Sequence, residues 1–167
     1  MSTLILERFK CIEDTSEIGS ESPYFLIYVA EARNGHAKSD VKVARRDSWD
    51  NEVDKGDTFI TNMTVSSGMH HDLVIVAMLE EDFDPDLPSP WNLLIAANMK
   101  PLDSLLAAVT TGVDDNLAGI VRDEFRSQIE NYIANDEILG VKRVKPSAPK
   151  VHFKGDGGDY EVTFKFV

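Results

Sequence analysis

The stretch KVHFKGDGGDYEVTFKFV, residues 150–167, alternates Tyr160, Val162, Phe164 and Phe166 with Glu161, Thr163 and Lys165. Successive side chains of a strand point to opposite faces, so this period of two predicts a strand with one apolar face and one polar face. Gly155-Asp156-Gly157-Gly158 then reads as the turn of a hairpin. It is flanked by strand patterns, whereas a glycine-rich phosphate cradle would open a helix.

The same texture fills the first half of the chain. TLILERFKCI (3–12), PYFLIYVAEA (23–32), DTFITNMTV (57–65) and DLVIVAMLE (72–80) are short runs rich in Ile, Val, Leu, Phe and Tyr, separated by Gly, Asn, Asp and Ser. Between the second and third runs there are turn signals at Asn34-Gly35 and Lys55-Gly56, with one short candidate strand near Val41–Ala44.

The middle of the chain changes period. After the proline-rich DPDLPSP (84–90), WNLLIAANM (91–99) predicts a helix, and a second is expected from Pro101 with Leu102, Leu105, Leu106 and Val109 on one face. Asp114 and Asp115 supply an N-cap for a longer helix, in which Leu117, Ile120, Val121, Phe125, Ile129 and Ile133 recur at spacings of three and four. Its polar face carries Arg122, Glu124, Arg126, Gln128 and Glu130, and the apolar face is expected to pack on the core. Together the patterns predict one domain over residues 1–167. It is mainly β, an antiparallel β-sandwich of seven or eight strands, with a helical block at 88–135 inserted before the last strands.

Charge and composition narrow the function. With 29 Asp and Glu against 17 Lys and Arg, the chain has a net charge of -12. Nucleic acid is excluded as a partner on this reading, because phosphate binding needs clustered cations. The basic patch VKRVKPSAPK (141–150) reads as a solvated strand edge. Cys11 is the only cysteine, so no internal disulfide forms, and Cys11 itself is expected to be a small buried hydrophobe. No signal-peptide pattern and no apolar run of membrane-spanning length occurs, which predicts a soluble chain. The cytoplasm is favoured as its location, with export by a signal-less route left open.

No nucleophile elbow, Walker loop or dinucleotide fingerprint is present. His70 and His71 are adjacent and lack a third ligand at zinc spacing. The enzymatic alternative is a carboxylate-based hydrolase acting on a small or glycan substrate through acids such as Glu81 and Asp82.

Three pieces of the chain, in order, carry a family resemblance: GSESPYFLIYV (19–29), DLVIVAMLEEDFD (72–84) and ANDEILG (134–140). They resemble, respectively, the glycine, serine and proline-tyrosine signature before a strand, the later strand running into an aspartate-rich loop, and the element closing that loop in the C-two, calcium-dependent lipid-binding β-sandwich domains. The resemblance covers residues 3–29, 72–86 and 134–167, and it places the helical block inside the acidic loop. It implies a non-enzymatic binding module acting through loops at one end of the sandwich. Calcium is the implied cofactor. A protein partner is expected, and a membrane surface only when calcium is bound, since the net charge opposes anionic lipid.

Carried over residue by residue, the implied metal ligands are Glu80 and Asp82 from the later loop and Asp136 from the closing element, completed by Asp14, Glu17 or Glu21. Glu81, Asp84 and Asp86 are the neighbouring binding residues. The first loop departs from the family pattern: Ser16 and Ser22 stand at its aspartate positions, with Glu17 and Glu21 one place away.

Overall fold

The computed structural model describes residues 1–13, 22–45, 55–81, 91–133, 136–155 and 158–167. Eight strands form two antiparallel four-stranded sheets. They are β1 (Ser2–Glu13), β2 (Ser22–Arg33), β3 (His36–Ala44), β4 (Thr58–Met69), β5 (Leu73–Glu81), β6 (Glu137–Val144), β7 (Lys150–Gly155) and β8 (Gly158–Phe166). One sheet has the order β4-β1-β8-β7 and the other β3-β2-β5-β6. Between β5 and β6 come α1 (Trp91–Met99), a 3-10 turn at Lys100–Leu102, α2 (Asp103–Ala107) and α3 (Asp115–Glu130). The expected sandwich with a helical insertion is the observed architecture.

Two apolar layers hold it together. Between the sheets, Leu4, Leu6, Phe9 and Cys11 of β1 and Tyr160, Val162 and Phe164 of β8 meet Phe25, Ile27 and Val29 of β2 and Val74, Val76 and Met78 of β5. The other faces of β2 and β5, with Tyr24, Leu26, Tyr28, Ile75 and Leu79, are covered by Ile95, Met99, Leu106, Val121, Phe125 and Ile129 of the helices. The molecule is therefore three layers deep: sheet, sheet, helices. This explains why PYFLIYV and LVIVAML read as continuous apolar runs while β8 alternates. A strand buried on both faces has no polar face to offer.

The helix α3 begins where its sequence signal stands. Asp114 is extended (φ -75°, ψ 170°), and its side chain accepts a 2.7 Å hydrogen bond from the Leu117 backbone N–H, closing the first turn of α3 as an N-cap. At the β2–β3 turn, Asn34 and Gly35 take φ of 52° and 75°, the left-handed pair that a two-residue hairpin requires.

Three expectations are corrected. Ile120, expected on the apolar face of α3, is 53% exposed, because that face is narrower than the spacing implies and runs through Ala118, Val121, Phe125 and Ile129. Leu105 of α2 is likewise 48% exposed; only Leu106 of that short helix is buried. Ile133 lies beyond the end of α3 at Glu130.

Candidate functional site

Strand register determines which loops share an end. Glu13 pairs with Asp159, Lys10 with Thr58, Phe25 with Ala44, Pro23 with Glu80, and Glu80 with Glu137. The strand termini bounding residues 14–21, 46–54, 82–90, 134–135 and 156–157 therefore all lie at one end of the sandwich. The segments 13–21, 45–57, 80–90, 134–137 and 155–159 hold 18 of the 29 acidic residues of the chain and only 3 of its 17 basic ones. These segments thus start or finish at that end, while the remainder of the chain carries more Lys and Arg than Asp and Glu.

Of the metal ligands expected from the sequence, Glu80 and Asp136 are described. Asp136 is buried, and the Tyr24 hydroxyl donates to its Oδ2 across 2.6 Å. Tyr24 belongs to the face of its sheet that the helices cover, so Asp136 is fastened on that side. Glu80 follows Leu79 on β5, and alternation sends it to the opposite side, toward the other sheet. The two carboxylates arrive at the same strand ends on different faces of one sheet. Asp14, Glu17, Glu21, Asp82, Asp84 and Asp86 lie outside the described residues, as does the side chain of Glu81. Among the described residues, no group of three or more His, Cys, Asp or Glu side chains is arranged to hold a metal ion.

The opposite end has its own polar cluster, which the sequence did not signal beyond the His70-His71 pair. Arg33, at the end of β2, grips Asp72 with Nη2 at 2.7 Å and Nε at 2.9 Å, and Asp72 also accepts from the Ala32 N–H at 2.9 Å. Burial pushes the Asp72 carboxyl up, but these bonds outweigh it and hold its pKa below the ordinary value. His71 is 8% exposed; its Nδ1 lies 2.7 Å from Ser2 Oγ and its ring meets Phe166 edge-on. A cleft of about 460 Å³ opens here, lined in part by Ser2, Arg33, His70, His71 and Asp72.

Ser2 beside His71 has the form of a nucleophile beside a base, yet the rest of a hydrolytic relay is missing among the described residues. The His71 Nε2 is buried and meets no hydrogen-bond partner, so no third group orients the ring. Asp72, the neighbouring carboxylate, is committed to Arg33 and to the backbone. Burial lowers the His71 pKa, with Asp72 opposing the shift. The arrangement ties the start of β1 to the β4–β5 connection.

The basic stretch 141–150 is also more engaged than a solvated edge. β6 is an edge strand, but Arg143 and Lys145 both reach Asp115, at 3.0 and 3.1 Å, and the Arg143 Nη2 donates to the Val113 carbonyl at 2.8 Å. Trp91, half-buried, packs against the Tyr132 ring at 5.1 Å near the acidic end, and Cys11 is fully buried as expected. Comparison with protein-family models, with curated proteins and with solved structures gave no match to this chain.

Proposed function

We propose that the protein is a non-catalytic binding module whose recognition surface is the acidic end of the sandwich, and that a protein partner presenting basic residues docks there. The observation that carries this reading is the convergence, by strand register, of the strand ends that anchor segments holding 18 acidic and 3 basic residues in the sequence. Acidic segments anchored side by side favour a cationic ligand, which relieves repulsion among their carboxylates.

On the same reading calcium is a ligand of this end. It takes six to eight oxygens from flexible loops, and Glu80, Asp82, Asp136 and Asp14, Glu17 or Glu21 are its proposed donors. Glu80 and Asp136 leave their sheet on opposite faces, so a shared ion would sit beyond the strand ends, where the loop acids complete the shell. Membrane contact through this end requires that ion, because the unneutralised acids are repelled by anionic lipid.

Thermal unfolding with millimolar calcium, with magnesium and with chelator tests the metal, and titration with a lysine-rich peptide tests the partner class. Binding to the native state alone stabilises by about 2.7 kcal/mol at a hundredfold excess over Kd. The expected result is a calcium-specific rise that is lost in Asp82→Asn and Asp136→Asn. A rise that survives both substitutions places the ion elsewhere; no rise removes calcium from the proposal, and failure of the peptide to bind removes the basic partner.

A further inference from the structure

Of the four sheet faces in this fold, two meet each other, one lies under the helices, and no element among the described residues packs on the outer face of β4-β1-β8-β7. Its charge runs against that of the chain. Arg8 and Lys10 stand on β1, Lys165 on β8, and Lys150 and Lys154 on β7, all exposed. The acids among them are largely spoken for: Glu161 pairs with Lys150 at 3.3 Å, and Asp159 bonds His152. Glu7 sits in the bulge between Leu6 and Arg8, and Glu13 lies at the rim. Among the described residues, no carboxylate pairs with Arg8, Lys10, Lys154 or Lys165. These cations are distant in sequence, and register alone assembles them: Lys10 lies opposite Glu161 and Glu161 opposite His152, while Arg8 lies opposite Thr163 and Thr163 opposite Lys150.

We propose that this outer sheet face docks an acidic, extended segment of a partner protein, held by Arg8, Lys10, Lys154 and Lys165. The site is a sheet face that adjoins the acidic end at Lys154 and Lys10, and it does not depend on the reading proposed for that end. Charge complementarity carries the choice of occupant, and spacing refines it. Alternate residues on one strand are about 6.8 Å apart, the same repeat at which an extended peptide presents every second side chain. Arg8 and Lys10 therefore match carboxylates at alternate positions of such a peptide. Beside them is a shallow cleft of about 280 Å³, lined by Arg8, Lys10, Thr58, Glu161 and Thr163, whose hydroxyls add donors. Ile60, directly opposite Arg8 on β4 and 70% exposed, offers an apolar contact next to the charge.

A narrow acidic chain suits this face better than a bilayer does. A bilayer would bring its negative plane against the entire face, including Glu7, Glu13, Asp159 and Glu161, and against the field of a chain with net charge -12. A single extended segment meets the unpaired cations with fewer of those acids beside them, chiefly Glu161, which is already paired with Lys150. Duplex nucleic acid is disfavoured for the same reason and by the small number of cations.

The probe is a fluorescein-labelled peptide of alternating Glu and Thr, about eight residues or roughly 27 Å when extended, followed by anisotropy in chelator at low and physiological salt. Binding is expected with the native protein, weakening as salt rises. Reversing charge in Lys10→Glu/Lys154→Glu should weaken it at least about tenfold, while Lys38→Glu on β3 leaves it unchanged. Amide shifts on the native protein provide an independent reading, expected along β1, β8 and β7. No peptide binding, equal binding by the reversed variant, or shifts confined to other strands would overturn the proposal. Binding to phosphatidylserine vesicles or duplex DNA in the absence of peptide binding would overturn it in favour of those ligands.

Discussion

Tyr24 donates its phenolic hydrogen to Asp136 across 2.6 Å, fastening the start of β2 to the residue that leads into β6, 112 positions away. Both partners are buried, at 1% and 6% exposure, so the bond is formed where water competes little. It closes the acidic end on the side covered by the helices.

Tyr24→Phe should therefore cost about 1–3 kcal/mol, the range for removing the donor from a buried acceptor. Asp136→Asn should cost less, since its amide oxygen still accepts from the phenol. Urea denaturation of the two variants checks the order. A Tyr24→Phe loss below about 0.5 kcal/mol would show that the carboxylate is equally well served without the phenol.

His71 predicts a pH dependence with a definite sign. Burial lowers its folded pKa below the ordinary 6.5, and Asp72 only partly opposes this. The unfolded chain then binds a proton at a higher pH than the folded one, so stability falls as pH drops below about 6.5 and levels off beneath the folded pKa. Ser2 and Phe166 contact the ring, Arg33 lines the same cleft, and of the other charged groups nearby His70 lowers the value further while Glu31 raises it. Asp72, whose pKa is depressed, contributes stability that is lost only in a lower window, as pH falls below its ordinary 3.8. Melting temperatures at pH 7.5 and 5.5 should differ more for the native protein than for His71→Gln. Equal differences would remove His71 from the acid response.

The helix α3 separates buried from exposed apolar positions cleanly. Phe125 is fully buried, with its ring 5.9 Å from that of Tyr28, and Phe125→Ala should cost about 3–5 kcal/mol through lost contact and the cavity left behind. Ile120→Ala, at a position 53% exposed, should stay within about 0.5 kcal/mol. Similar losses in both would mean that Ile120 is covered in solution.

Much of this architecture was legible because local chemistry and tertiary position agree. The period of two in β8, the Asn34-Gly35 turn and the Asp114 cap each name their own structure. What stayed hidden was pairwise and long-range. PYFLIYV and LVIVAML showed strands, but their lack of a polar face acquires its meaning only with the helical layer in place. Ile120 fits a spacing of three and four as well as Val121 does, and only the packing surface chooses between them. Arg33 and Asp72, or Ser2 and His71, stand 39 and 69 residues apart, and no motif joins them. Arg8 and Lys154 looked scattered because register, not sequence, sets them on one face. For the acidic end, the sequence gathered the carboxylates into loops, and the strand register brings the ends of those loops together.

The N-terminus of α3 tests how two neighbouring acids divide their roles. Asp114 caps the helix through the Leu117 N–H, and Asp114→Ala should cost about 1 kcal/mol, the usual loss for a deleted cap. Asp115, next to it, is 85% exposed and binds Lys145 and Arg143. The hydrogen bond and charge of Lys145, followed by Arg143, hold its pKa below the ordinary 3.8, so its contribution is present above that pH and lost as pH falls through the depressed value. Because water and salt screen an exposed pair, Asp115→Asn should lower the melting temperature less than Asp114→Ala does, and added salt should erase most of what remains. The cap bond is short and local, so its loss should persist at high salt. A salt-insensitive Asp115→Asn effect larger than that of Asp114→Ala would instead make the clasp to β6, and not the cap, the main anchor of the helix.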